Sequence, residues 1–151
     1  MINAAAGEGQ PRTFSLVAYT GEPMNIYRYE YPVVVDLSTA DLTAQSIPVL
    51  YDHWASAHAI VGQSSSVRSV NGQLVVEGQF ILTPGEDGDT ARMVVAKADA
   101  GYRWQVSVGG EPANVERVPA GQSITVNGRS YAGPVCVARG LKLREVSFVV
   151  L

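Results

Sequence analysis

The chain has 151 residues, the size of one domain that can bury its own core without covalent staples. Hydrophobic residues make up 46% and charged residues 17%, too apolar a balance for a disordered chain. The formal net charge of −3 provides no basic surface, which disfavours nucleic acid and anionic membrane as partners.

Cys136 is the only cysteine, so no disulfide can form within the chain, and its neighbours Val135 and Val137 predict a small buried hydrophobe. Residues 1–9 lack the basic region and apolar run of a signal peptide, and no segment is long enough to span a bilayer. The expectation is a chain that is neither exported nor anchored, in a reducing cytoplasm.

Residues 1–11 are small, polar and punctuated by Gly and Pro, which predicts a flexible tail before a single domain over 12–151. Phe14, Leu16 and Ala18 alternate with Ser15, Val17 and Tyr19 as in a first strand, ended by Gly21-Glu22-Pro23. The β-branched run from Pro32 to Leu37 suits a covered strand, and Ser38 or Thr39 reads as the cap of one helical turn that Pro48 keeps short. Val49 to Tyr51 is strand-like and delivers Asp52-His53-Trp54, and Ala59-Ile60-Val61-Gly62 begins another strand.

Asn71-Gly72 and Asn127-Gly128 each stand between apolar alternations and supply the two positive φ angles of a type I′ turn, so two hairpins are predicted. Between them the period changes: Ala91, Val94, Val95 and Ala98 form one apolar stripe, predicting a helix over about residues 87–100. Asp87 and Asp89 suit its positive end, Lys97 its negative end, and Gly101 its left-handed close. Arg103 to Val108 follows as a strand ended by Gly109-Gly110, with Trp104, Val106 and Val108 on one face and Arg103, Gln105 and Ser107 on the other. Many short strands, two tight hairpins and one helix predict a mainly β fold, a small antiparallel β-barrel or curled sheet with the helix packed against it.

No phosphate-cradling glycine loop, paired Cys-x-x-Cys or His-Glu-x-x-His is present, which excludes the common nucleotide and zinc enzymes; no cofactor or metal is expected. His53, His58 and Asp52 have weak spacing for a metal, and Glu77, Glu86, Asp87 and Asp89 read as solvated or helix-start charges. What remains is a hydroxyl activated by imidazole. A serine is a poor nucleophile near neutral pH and needs a base within hydrogen-bond reach, itself held by a third group. Ser107, His53 and Glu145 are the candidates, with Glu145 on a strand face shared with Leu143 and Ser147 while Val146, Phe148 and Val150 face the other way. Taken alone, Glu145 also reads as an exposed carboxylate paired with Arg144 or Lys142.

Three stretches, Ile47-Pro48-Val49-Leu50-Tyr51-Asp52-His53 with Ile60-Val61-Gly62, then Trp104-Gln105-Val106-Ser107-Val108-Gly109, then Leu141 to Val149 with its Glu145-Val146-Ser147, resemble in wording and order the prohead (capsid maturation) serine proteases of tailed bacteriophages. The similarity spans about residues 12–151. It implies a fold like the herpesvirus assembly proteases, with Ser107 as nucleophile, His53 as general base, Glu145 as third member, and Arg139-Gly140 as the local counterpart of the loop that supplies an oxyanion-hole amide. Gln105-Val106 departs from the small-apolar pair that often precedes the family serine.

The implied activity is that of a hydrolase of virion assembly, a serine endopeptidase acting on scaffold and major capsid protein segments inside the prohead, in the host cytoplasm. Self-cleavage and homo-oligomerisation are both compatible with it. The apolar run that stops at Leu151 fits a self-cleaved end or a protease core trimmed from a longer chain. Two rivals stand beside the enzyme: an inactive protease-like module for scaffold or capsid assembly, and a β-barrel ligand-binding domain whose tyrosines and tryptophans line a pocket remote from Ser107.

Overall fold

A computed structural model describes residues 1–3 and 10–150. Eleven strands and one α-helix are arranged among the described residues in three sheets. The largest contains β1 (Thr13–Tyr19), β3 (Pro48–Tyr51), β4 (Ile60–Val70), β5 (Gln73–Phe80), β6 (Gln105–Glu111) and β11 (Lys142–Val149) in the order β1-β5-β4-β3-β11-β6. It curls into a half-barrel whose edge strands β1 and β6 come near each other without sharing a ladder. The fold is therefore mainly β, but open along that seam.

A second sheet, β2 (Val33–Val35), β10 (Val135–Arg139) and β7 (Asn114–Val118), packs its Val33, Val35, Cys136 and Ala138 into the half-barrel core. The alternate residues Val34, Val135 and Val137 face outward, where β8 (Ser123–Val126) and β9 (Arg129–Ala132) cover them with Val126 and Tyr131. Period-two alternation thus divides two cores across one thin sheet. Asn127, in the second hairpin turn, locks the layers by donating its amide to Val35 O at 2.7 Å and accepting from the Leu37 amide at 2.9 Å.

Both Asn-Gly hairpins form as the sequence predicts: Asn71 (φ 50°) and Asn127 (φ 53°) take left-handed conformations with their glycines, joining β4 to β5 and β8 to β9. The helix α1 (Asp89–Asp99) buries Ala91, Val94 and Val95 against the sheet around β4. Most ladders are antiparallel, but β11 pairs with β3 and β10 with β2 in parallel. Local alternation carries no information about that direction.

Three expectations are corrected. The residues after β2 form a turn, not a helical turn, because Asp36 rather than Ser38 or Thr39 is the capping group: its carboxylate accepts from the Ser38 amide (3.0 Å) and hydroxyl (2.6 Å). β6 does not stop at Gly109-Gly110 but runs through them to Glu111, since both glycines make room for β11: a Cβ at Gly110 would lie 2.5 Å from Lys142 O. Leu143 does not share the face of Glu145. A register shift between Leu143 and Glu145 puts Leu143 in the core with Val146 and Phe148.

The flexible-tail expectation for residues 1–11 falls largely on residues 4–9, outside the described residues. Of the remainder, Ile2 bridges to Phe14, and Asn3 N–H donates to Thr13 O at 3.1 Å, so residues 1–3 run along β1.

Candidate active site

Two adjacent strands place the groups that carry chemistry. In the β6–β11 ladder Ser107 lies directly opposite Ser147, and Gly109 opposite Glu145, so all four residues share one face. The opposite face, Val106, Val108, Val146 and Phe148, packs on the core. β3 lies on the other side of β11, with Leu50 level with Ser147 and Tyr51 with Phe148. The chain leaving β3 therefore emerges beside the Glu145–Ser147 segment.

The turn that follows aims the imidazole. Asp52 (φ 54°) and His53 (φ 57°) are both left-handed, and Trp54 N–H closes the turn on Tyr51 O at 3.1 Å. Asp and His are among the non-glycine residues that accept this conformation most readily. Two contacts to β11 hold it: Asp52 N–H donates to Phe148 O at 2.9 Å, and His53 N–H donates to the Ser147 hydroxyl at 3.1 Å. The ring is thereby turned back over β11.

His53 Nδ1 lies 2.6 Å from Glu145 Oε1, and Glu145 Oε2 accepts the Ser147 hydroxyl at 2.5 Å. Both carboxylate oxygens are pinned. The side chain of Glu145 is 14% exposed and that of His53 41%, so the acid is sheltered while the ring edge reaches solvent. Gly109 makes this possible, because a Cβ there would sit 1.8 Å from Glu145 Oε1. The hydrogen bond to Glu145 raises the His53 pKa above its ordinary 6.5; partial burial opposes the shift, and the Glu145 and Asp52 charges add to it. With Nδ1 facing the acid, the proton sits there and Nε2 is left as the acceptor.

His53 and Ser107 line the same cleft, of about 720 Å³, whose other walls come from β6, β2, β10 and the segment 24–29. Its lining is mostly apolar, including Met24, Ile26, Val33, Val35, Val108 and Leu141. Among the described residues, no hydrogen bond joins the Ser107 hydroxyl to the ring. The cleft is thus a concave, largely apolar site with Ser107 and His53 among its lining residues.

The structure joins His53 to Glu145 and sets Ser107 along the same cleft as His53, but Arg139 and Gly140 are engaged elsewhere. The Arg139 guanidinium binds Asp36 Oδ2 at 2.5 Å and Glu116 Oε2 at 2.8 Å, and Gly140 N–H donates to Thr39 Oγ1 at 2.9 Å. Their neighbours Ala138 and Leu141 form that part of the cleft wall. The Gly140 amide can face a reacting carbonyl only by leaving Thr39. His58 pairs with Asp87 at 3.6 Å on an exposed surface, and no cluster of three His, Cys, Asp or Glu suited to a metal occurs among the described residues. No described helix is long and apolar enough to cross a membrane.

Sequence reasoning missed two contributors. Ser147 reads as an ordinary strand hydroxyl, yet it is fully buried and touches both His53 and Glu145. Gly109 reads as a strand breaker, yet it is the floor under the carboxylate. The local signal was the Asp52-His53 pair, two residue types tolerant of positive φ after a strand. Comparison of this chain with protein-family models, with curated proteins and with solved structures finds no match to any of them.

Proposed function

We propose that this chain is a serine endopeptidase of the prohead-maturation type, with Ser107 as nucleophile, His53 as general base and Glu145 as the group that orients and charges the base. The observation that carries the reading is the 2.6 Å contact between His53 Nδ1 and Glu145 Oε1, with the ring in a cleft that Ser107 also lines. On substrate binding the Ser107 hydroxyl closes on Nε2, a contact that is often long in the unliganded state of such sites. Ser107 Oγ attacks the peptide carbonyl and Nε2 takes its proton. Nε2 then returns the proton to the departing amine, while Glu145 stabilises the transient imidazolium. Water hydrolyses the acyl-enzyme by the same route. The substrates in this reading are scaffold and capsid-protein segments within the assembling prohead, and the fold is a relative of the herpesvirus proteases.

A fluorophosphonate probe tests it. Ser107 should label in the wild type, and neither Ser107→Ala nor His53→Ala should; cleavage of scaffold peptides should vanish in Ser107→Ala with melting unchanged. Equal labelling of wild type and Ser107→Ala would end the proposal and leave the protease-like assembly module.

A further inference from the structure

We propose that Ser147 is a positioning residue for the His53–Glu145 pair: its buried hydroxyl anchors the Glu145 carboxylate in place against the imidazole, and it holds the His53 backbone in the turn that aims the ring. The hydroxyl has one proton to give and lone pairs to receive with, and both capacities are used here. Its hydrogen goes to Glu145 Oε2 at 2.5 Å, and it accepts the His53 amide at 3.1 Å. One atom therefore touches the acid and the backbone of the base together. Glutamate has three rotatable side-chain bonds, so the contact to His53 alone leaves the carboxylate free to swing; a second anchor on Oε2 removes that freedom. Without the hydroxyl, the His53 amide also loses its partner at a residue already in left-handed backbone.

Ser147 is fully buried and cannot itself touch a substrate. It lies directly across the ladder from Ser107, so it acts beside the nucleophile while remaining beneath the surface. The charged groups around the ring are Glu145 on β11, Asp52 in its own turn and, along the cleft, Arg28; β6 contributes Ser107 and Gly109, neither of which titrates. A change in ring titration on altering Ser147 therefore passes through Glu145 or the turn.

The consequence for rate rests on the serine-protease reading, whereas the effect on the ring does not. The test is the titration of the His53 ring nitrogens by NMR in the full chain, for wild type, Ser147→Ala and the same-shaped pair Ser147→Thr and Ser147→Val, with Glu145→Gln as reference. Ala and Val are expected to lower the midpoint toward that of Glu145→Gln although the carboxylate is still present, and Thr to keep the wild-type midpoint. In a peptide-cleavage assay Ser147→Ala should lower kcat by roughly ten- to a hundredfold with KM unchanged, the scale set by loss of alignment at a reacting group. If Ala disrupts folding, Thr against Val isolates the hydroxyl at constant volume. A wild-type midpoint in both Ala and Val, or Thr behaving as Val, overturns the proposal. Absence of probe labelling at Ser107 in the wild type instead overturns the protease reading, and the ring titration still decides the role of Ser147.

Discussion

Replacing Gly109 by alanine adds one methyl group to the floor of the candidate site, and its effect can be worked out from the surrounding atoms. The new Cβ would lie 1.8 Å from Glu145 Oε1, 2.6 Å from Cδ and 3.0 Å from Cγ, so the end of that side chain must leave. Gly109 is not in left-handed backbone, so alanine meets no objection from φ and the whole effect passes through Glu145. The buried contact to Ser147 is a hydrogen bond to a charged group, a class that contributes about 1.5–3 kcal/mol. The contact to His53 is half-exposed and contributes about 0.5–1 kcal/mol after solvent screening. Alanine stiffens the unfolded chain and offsets about 0.4–1 kcal/mol. The net loss is about 1–3.5 kcal/mol, and in a chain of this size each kcal/mol lowers Tm by about 2–4 °C. Calorimetry together with NMR titration of the ring reads both consequences: a fall in Tm, and a His53 midpoint that moves down toward 6.5. Under the protease reading, cleavage falls on the order of 10³–10⁴-fold, as when the third member of a triad is removed. Wild-type melting with a wild-type ring titration would refute the argument, because it would mean that the carboxylate does not rest on Gly109.

Two further predictions concern pH and the core. The folded pKa of His53 lies above its unfolded value, so its pairing with Glu145 stabilises the protein in full below about pH 6.5, and that contribution is lost as pH rises through the folded pKa. Activity runs the opposite way, since a base must be neutral to accept a proton: kcat/KM should rise through that same pKa, and Glu145→Gln should move the rising limb to lower pH and flatten the stability profile between the two pKa values. A rising limb that stays in place in Glu145→Gln would dissociate the acid from the base. Phe148, 1% exposed, packs its ring at 5.9 Å from Phe80, 6.2 Å from Trp104 and 6.3 Å from Phe14, next to Ser147 on β11 and level with Tyr51 of β3. Phe148→Ala should cost about 3–5 kcal/mol in urea unfolding, and a loss below about 1 kcal/mol would refute its place at the centre of the half-barrel.

Much of this protein is written locally. The two Asn-Gly turns, the helix stripe through Ala91, Val94 and Val95, and the alternation of β1 are visible because backbone preference and side-chain periodicity act over a few residues. Ser107, His53 and Glu145 were legible as candidates by residue type and by resemblance. The contact of His53 with Glu145 and the placing of Ser107 in the same cleft were not, because they depend on two ladders of β11, one antiparallel to β6 and one parallel to β3, the latter pairing residues 97 apart, as Val146 with Val49. A strand pattern shows which face is apolar but not which strand will lie beside it or in which direction.

The same limit explains the corrected details. Gly109 and Gly110 look like a stop until the Glu145 side chain and Lys142 O are seen in the space a Cβ would need, and Leu143 appears level with Glu145 until the bulge resets the alternation. Sequence alone determined a mainly β chain with one helix, its hairpins, and the residue types able to support nucleophilic chemistry. Tertiary structure decided that the sheet stays open between β1 and β6, that Arg139 and Gly140 are held by Asp36, Glu116 and Thr39, and that Ser147 lies under the His53–Glu145 pair. The physical reason is range: turns and periodicity are settled between neighbours along the chain, whereas register, ion pairing and the burial of a hydroxyl are settled between strands that only the completed fold brings together.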